Sequence, residues 1–220
     1  ASNCQAIACH HATITTNGGN SGTAFTASGD PAVSNFAPLG GMKSVYFDGT
    51  GDYLTSNDSD YSATNGAFTM ECWFFISSND GIANRGLFHL KDEDMDGTND
   101  GNGTGFALNT AGSSESNFKL EAMHGDGSFD TGTDLNNIYA FNHWHHVALV
   151  RDSSAMKIFL NGTIVATSSN VHNKTSQYLI IGGHQATNRL FKGYISNFRY
   201  IKGQAIYDED FTVPAAAMYG

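Results

Sequence analysis

The chain has 220 residues, enough for one large β domain or two small ones. Twenty-one acidic residues face eleven basic ones, and a net charge of −10 repels a nucleic-acid duplex or an anionic membrane, which excludes both as partners. No apolar run approaches the roughly 18 residues of a spanning helix, so no membrane insertion is expected.

Residue 1 is Ala, with no initiator Met and no apolar leader, so the chain is expected to be processed or part of a longer protein. Residues 1–40 are polar and aperiodic, with "HATITT" at residues 11–16 as the one good strand candidate. This segment is expected to add strands or an arm to the domain that follows. In "AFTMECWFFI" the alternation is plain. Phe68, Met70, Cys72, Phe74 and Ile76 share one face, while Thr69, Glu71, Trp73 and Phe75 take the other. That second face is polar at one end and aromatic at the other, suited to lining a groove or to lying under a loop.

Further on, "FKLEAM", "WHHVALVR", "MKIFLNG", "YLIIGG" and "GYISNFRYI" alternate in the same way between clusters of Gly, Asn, Asp and Ser. In "MKIFLNGTIVATS", Asn161-Gly162 supplies the two positive-φ residues of a type I′ turn and predicts a two-residue hairpin. About a dozen strands, no linker and no repeat predict an all-β fold, a single antiparallel sandwich of two sheets. The sandwich is expected over residues 41–214, with 215–220 as a C-terminal tail. Cys72 reads as a buried thiol, and Cys4 and Cys9 are near enough in sequence to close a small loop.

The order "SVYFDGTGDYLT", "FTMECWFF", "WHHVALVRDSSAMKIFLNGTIVATS", "YLIIGG" and "FKGYISNFRYIKGQAIYDEDFTVP" resembles the laminin-G-like, concanavalin A-like lectin/glucanase superfamily. The closing segment is most similar to such domains in tailed-phage tail, fibre and decoration proteins. The resemblance implies a jelly-roll sandwich of two curved sheets that binds carbohydrate at its rim loops or concave face, with a calcium ion at the rim in many members. Viral members open with an apolar strand before a His-x-Ile-Thr-like one, and "ASNCQAIAC" is a poor version of it, so the first strand is expected to be short, borrowed or lost.

Three groups of residues bear on chemistry. Between Asp80 and Asp134 eleven acids stand against three bases, most densely in "KDEDMDGTND". Asp92, Asp94 and Asp96 followed by Gly97, with Asp100 beyond, match the opening of a calcium loop, because alternate carboxylates around a glycine-permitted turn converge on one point. Gly103 at the twelfth position excludes an EF-hand, which leaves a calcium loop of another shape or a solvated connection. As a catalytic cluster the segment is poor: glucanases of the resembled family space Glu-x-Asp-x-x-Glu with apolar residues between, and two carboxyls need a rigid frame. An enzyme is therefore not expected.

Among the histidines, His143 and His145 share a strand face, and His10-His11 lie near Cys4 and Cys9. Either set is a metal candidate only if further ligands converge, and packing is the plainer reading. Among the aromatics, Trp73, Phe75, Tyr139 and Phe141 are the candidates for stacking on a sugar, against burial in the core for each.

These readings lead to a non-enzymatic recognition module on a virion surface, binding host-surface or environmental glycans with calcium stiffening the acidic loop. Other virion structural proteins and further copies of the chain are the expected partners. The alternative is a capsid or tail decoration protein that binds only neighbouring virion subunits.

Overall fold

A computed structural model describes residues 3–62, 66–77, 84–91, 104–111, 119–125, 129–134, 141–169, 177–183 and 189–216. Among them, fifteen strands follow one another: β1 Cys4–Ala8, β2 Thr26–Ser28, β3 Ala32–Ser34, β4 Ser44–Asp48, β5 Tyr53–Asn57, β6 Phe68–Phe75, β7 Asn84–Lys91 and β8 Thr104–Ala111. After these come β9 Lys119–Gly125, β10 Phe129–Asp134, β11 Trp144–Arg151, β12 Met156–Leu160, β13 Thr163–Ser168, β14 Tyr178–Ile181 and β15 Lys192–Lys202.

They pair into two antiparallel sheets. One runs β13-β12-β11-β6-β15-β4-β3, with β1 paired to the far half of β15; the other runs β10-β9-β8-β7-β14-β5-β2. The chain crosses repeatedly between sheets, as a jelly-roll sandwich requires. Phe68, Met70, Cys72 and Phe74 of β6 meet Val147 and Leu149 of β11 and Phe198 and Tyr200 of β15. Leu54, Leu90, Leu179 and Ile181 close on them from the second sheet. The inward half of the β6 alternation is thus the core.

The hairpin at Asn161-Gly162 forms as its turn chemistry predicts. Both residues have positive φ, 51° and 85°, and Leu160 pairs with Thr163 across the turn. Gly162 is also required by a close approach, since a Cβ there would lie 2.0 Å from the carbonyl oxygen of Phe211.

The start of the chain departs from expectation. Residues 11–16 form bends and a turn, while the weakly patterned "CQAIA" is β1. Small side chains explain the exchange. Ala6, Ala8 and Cys9 fit beside the bulky Phe198 and Tyr200 in the core, and Ile7 packs with Cys4 and Ile201 on the opposite face. Backbone bonds from Gly18 N to Ile7 O and from Asn20 N to Cys4 O then bring the following loop back along β1. All three cysteines are free and buried, Cys4 and Cys9 in separate clusters.

Candidate functional site

The outward half of β6 carries the features of interest, and its register with β11 and β15 arranges them in rows. Trp144 lies opposite Phe75, Phe75 opposite Tyr194, and Tyr194 opposite Tyr46, so four aromatic residues from four adjacent strands form one line across the sheet. Neighbouring strands are about 4.8 Å apart, which makes this line about 14 Å long. The rings touch along it, with centroids 5.6 Å apart for Phe75–Trp144, 6.0 Å for Phe75–Tyr194 and 4.9 Å for Tyr46–Tyr194.

A fifth ring stands over the line. Phe36 meets Phe75 edge-on at 4.7 Å and Tyr194 at 5.0 Å, with Trp144 at 5.4 Å. Its backbone is pinned on both sides: Ser34 Oγ accepts from Phe36 N at 3.0 Å, and the buried Ser44 hydroxyl donates to Phe36 O at 2.6 Å. Phe36 remains 44% exposed, and only it and Val33 are large exposed hydrophobic side chains among the described residues. The indole N–H groups of Trp144 and of Trp73, in the next row, reach no acceptor among the described residues.

Farther along, the same face turns polar and is covered. Glu71 is fully buried yet well supplied with donors. Its Oε1 accepts from Arg199 Nε at 2.8 Å and from Arg199 Nη2. Its Oε2 lies 3.1 Å from His146 Nε2 and accepts from the Tyr207 hydroxyl at 2.9 Å. Burial pushes the Glu71 carboxyl up, but the hydrogen bond and charge of His146, then Arg199, outweigh it and hold the group below the ordinary carboxylate range. Burial and the facing Glu71 charge together raise the Tyr207 phenol.

Tyr207 comes from the extended segment after β15, which folds back over the sheet. Thr69 Oγ1 donates to Gln204 O at 3.1 Å and accepts from Ile206 N at 3.0 Å. Asp210 Oδ1 accepts from Ile164 N at 2.8 Å, and Phe211 N donates to Gly162 O at 2.8 Å. Tyr207 and Phe211 stack 3.6 Å apart and pack with Phe159, Ala148 and Val150. The closing segment therefore seals one half of the outer face, and among the described residues Phe36 is the ring that stands over the aromatic half.

At the Tyr46 end lie three carboxylates, Asp30, Asp48 and Asp52, with ligand atoms within 4.8 Å of one another. Asp52 is buried and accepts from Asp30 N at 2.8 Å and Asp48 N at 3.0 Å, so it is a structural brace for two loops as well as a charge.

Of the residues singled out by sequence, Asp92, Asp94, Asp96, Asp100 and Tyr139 lie outside the described residues. Trp73 and Phe75 stand on the outer face, partly exposed, whereas Phe141 is a core residue at 8% exposure. His143 and His145 have ring centroids 6.4 Å apart, His145 being packed on Phe74 with Asn161 Nδ2 3.1 Å from its Nδ1. His10 and His11 lie ring against ring at 3.7 Å, with Cys9 turned into the core. Among the described residues neither histidine set joins a three-ligand group. Phe36, Tyr46, Trp144 and Tyr194 were absent from the sequence candidates. Strand parity could have raised the last three, but nothing local to Phe36 indicates its partners.

No curated protein matches the chain. Among solved structures, domain 4 of AbnA, an extracellular GH43 arabinanase from Geobacillus stearothermophilus seen with arabinotriose, superposes with a TM-score of 0.62 at 16% identity. That match covers 91% of this chain and 93% of that one. The binding domain of botulinum neurotoxin serotype D gives a TM-score of 0.67 at 10% identity over 95% of this chain and 50% of that one. The binding domain of botulinum neurotoxin DC, in complex with SialylT, gives 0.62 at 12% identity over 92% and 48%. The chain thus spans about half the length of these toxin domains. At such identities the likeness is one of fold. The family model of the concanavalin A-like lectin/glucanases superfamily matches residues 48–206. The chain belongs to that superfamily.

Proposed function

We propose that the chain is a non-enzymatic recognition module that binds glycans on its aromatic face and is carried on a virion surface. The carrying observation is the in-register row of Trp144, Phe75, Tyr194 and Tyr46 with Phe36 above it. Sugar C–H groups stack on such rings, and the nearby carboxylates accept bonds from hydroxyls. Solved domains of the same fold seen with arabinotriose and with SialylT support a carbohydrate ligand. The virion setting is supported by the likeness of the closing segment to tailed-phage proteins, and many copies on one particle would turn weak single sites into firm attachment.

The non-enzymatic part is supported by the state of Glu71 and Asp52, two buried acids among the described residues. Glu71, locked by Arg199, His146 and Tyr207 and held below the ordinary range, has no proton to give near neutral pH. Asp52 spends both oxygens on backbone amides. A glycosidase needs one carboxylic acid with a raised pKa opposite a second carboxylate. Calcium at Asp92, Asp94, Asp96 and Asp100 belongs to the same reading and rests on their spacing.

A glycan array on the intact chain, run with calcium and again with a chelator, tests this. Binding that chelation abolishes supports both parts. Binding that survives chelation keeps the module and removes the ion. Silence in both arms favours a decoration protein that binds only virion neighbours.

A further inference from the structure

We infer that the glycan taken by the aromatic face carries protonated amines, as in a polymer of de-N-acetylated hexosamine. The inference rests on the glycan reading above and adds the charge class of the ligand.

The argument is one of charge placement. Tyr46 and Asp48 are two residues apart on β4, so both side chains stand on the outer face, about 6.8 Å apart along the strand. Asp48 begins a cluster with Asp30 and Asp52 in which the three carboxylates approach within 4.8 Å. Asp52 is buried and fixed by the amides of Asp30 and Asp48, Asp48 is half-buried, and Asp30 faces solvent. One ammonium group belongs to this end of the face, and a second lies beyond the opposite end of β4. Lys192 lies opposite Asp48 in the β15–β4 register, and Lys43 is engaged by Asn35 Oδ1. Three carboxylates with one opposing lysine leave this end negative, within a chain of net charge −10. The field reaches the rings: burial, then Tyr194, Asp48 and Asp52 raise the Tyr46 phenol.

A ligand lying on Tyr46 and Tyr194 therefore meets aromatic faces and carboxylates together. A uronate or sialylated chain is repelled there, and a neutral one gains only stacking. An ammonium gains twice, from ring faces within about 6 Å and from charge-assisted bonds of about 2.8 Å to carboxylate oxygens. A hexosamine stacked on Tyr46 carries its amine at the edge of the sugar ring, on the same face of β4 as Asp48.

The test is calorimetric titration of the intact chain with glucosamine oligomers, with their N-acetylated counterparts of equal length, and with uronate oligomers, at low and high salt. Polylysine serves as the peptide control. The amine oligomer is expected to bind about tenfold or more tighter than the acetylated one, to weaken with salt, and to lose affinity in Tyr194→Ala. Asp48→Asn is expected to remove the preference for the amine. Asp30→Asn, at an exposed position, repeats that test without risk to the fold.

Equal binding of the acetylated oligomer, or preference for the uronate, overturns the charge class and leaves the glycan site standing if Tyr194→Ala still weakens binding. Amine binding indifferent to Tyr194→Ala and matched by polylysine overturns the inference as unspecific charge. If no oligomer of any charge binds, the glycan reading itself fails.

Discussion

A carboxylate without contact with water is kept only if its partners replace the solvent, and Glu71 has Arg199, His146 and Tyr207 to do so. Removing it leaves a guanidinium and two donors facing nothing. Glu71→Ala is expected to cost about 3–5 kcal/mol, read as a fall in the denaturant midpoint at unchanged slope. The same group sets an acid limit. Its folded pKa lies below the ordinary value, so its contribution is complete above the unfolded pKa of about 4.3 and is lost as pH falls through the folded one. Melting curves of the wild type and Glu71→Gln should therefore lie far apart at pH 7 and converge as pH drops below about 4. A gap independent of pH would show that the carboxylate charge contributes nothing.

At the scale of elements, the hairpin and the covering segment are one assembly. Gly162 accepts from Phe211 N and leaves no room for a side chain, with φ at 85° and the Phe211 carbonyl oxygen 2.0 Å from the site of a Cβ. Gly162→Ala adds left-handed backbone strain of about 1–2 kcal/mol and pushes the segment off the sheet. Hydrogen exchange should quicken at Ile164 and Phe211 amides while the inner rows of β6 stay protected. Tyr207→Phe removes only the hydroxyl bond to Glu71 and should cost about 1–2 kcal/mol by thermal melting. If Tyr207→Phe melts like the wild type, the segment is held by its bonds to Thr69, Ile164 and Gly162 and by the packing of Phe211 on Phe159, without the hydroxyl.

For the whole molecule, the two halves of one sheet face have different fates among the described residues: one is sealed by the chain's own closing segment, the other is aromatic and carries the exposed Phe36. Phe36→Ala should lower glycan affinity about tenfold, the equivalent of about 1.4 kcal/mol, and hardly move the melting temperature, because the ring is 44% exposed. An array signal unchanged by this substitution would place any glycan site elsewhere. The acidic loop is a separate matter, read by the chelator arm of the same array.

The sequence by itself determined which segments are strands wherever local pattern and turn chemistry agree. The β6 alternation, its polar and aromatic outer ends and the Asn161-Gly162 turn all depend on residues a few positions apart, so they are legible in one dimension. At residues 4–16 the pattern misled, because "HATITT" alternates well yet the small residues of "CQAIA" are the ones that fit beside Phe198 and Tyr200. What only the tertiary structure decided is register and cover. Trp144, Phe75, Tyr194 and Tyr46 come from four strands remote in sequence, and a shift of one residue in any pairing would turn that ring into the core. The seal over Glu71 and the ring set above Phe75 likewise come from segments without strand pattern, whose places follow from what the finished sheet leaves to be covered.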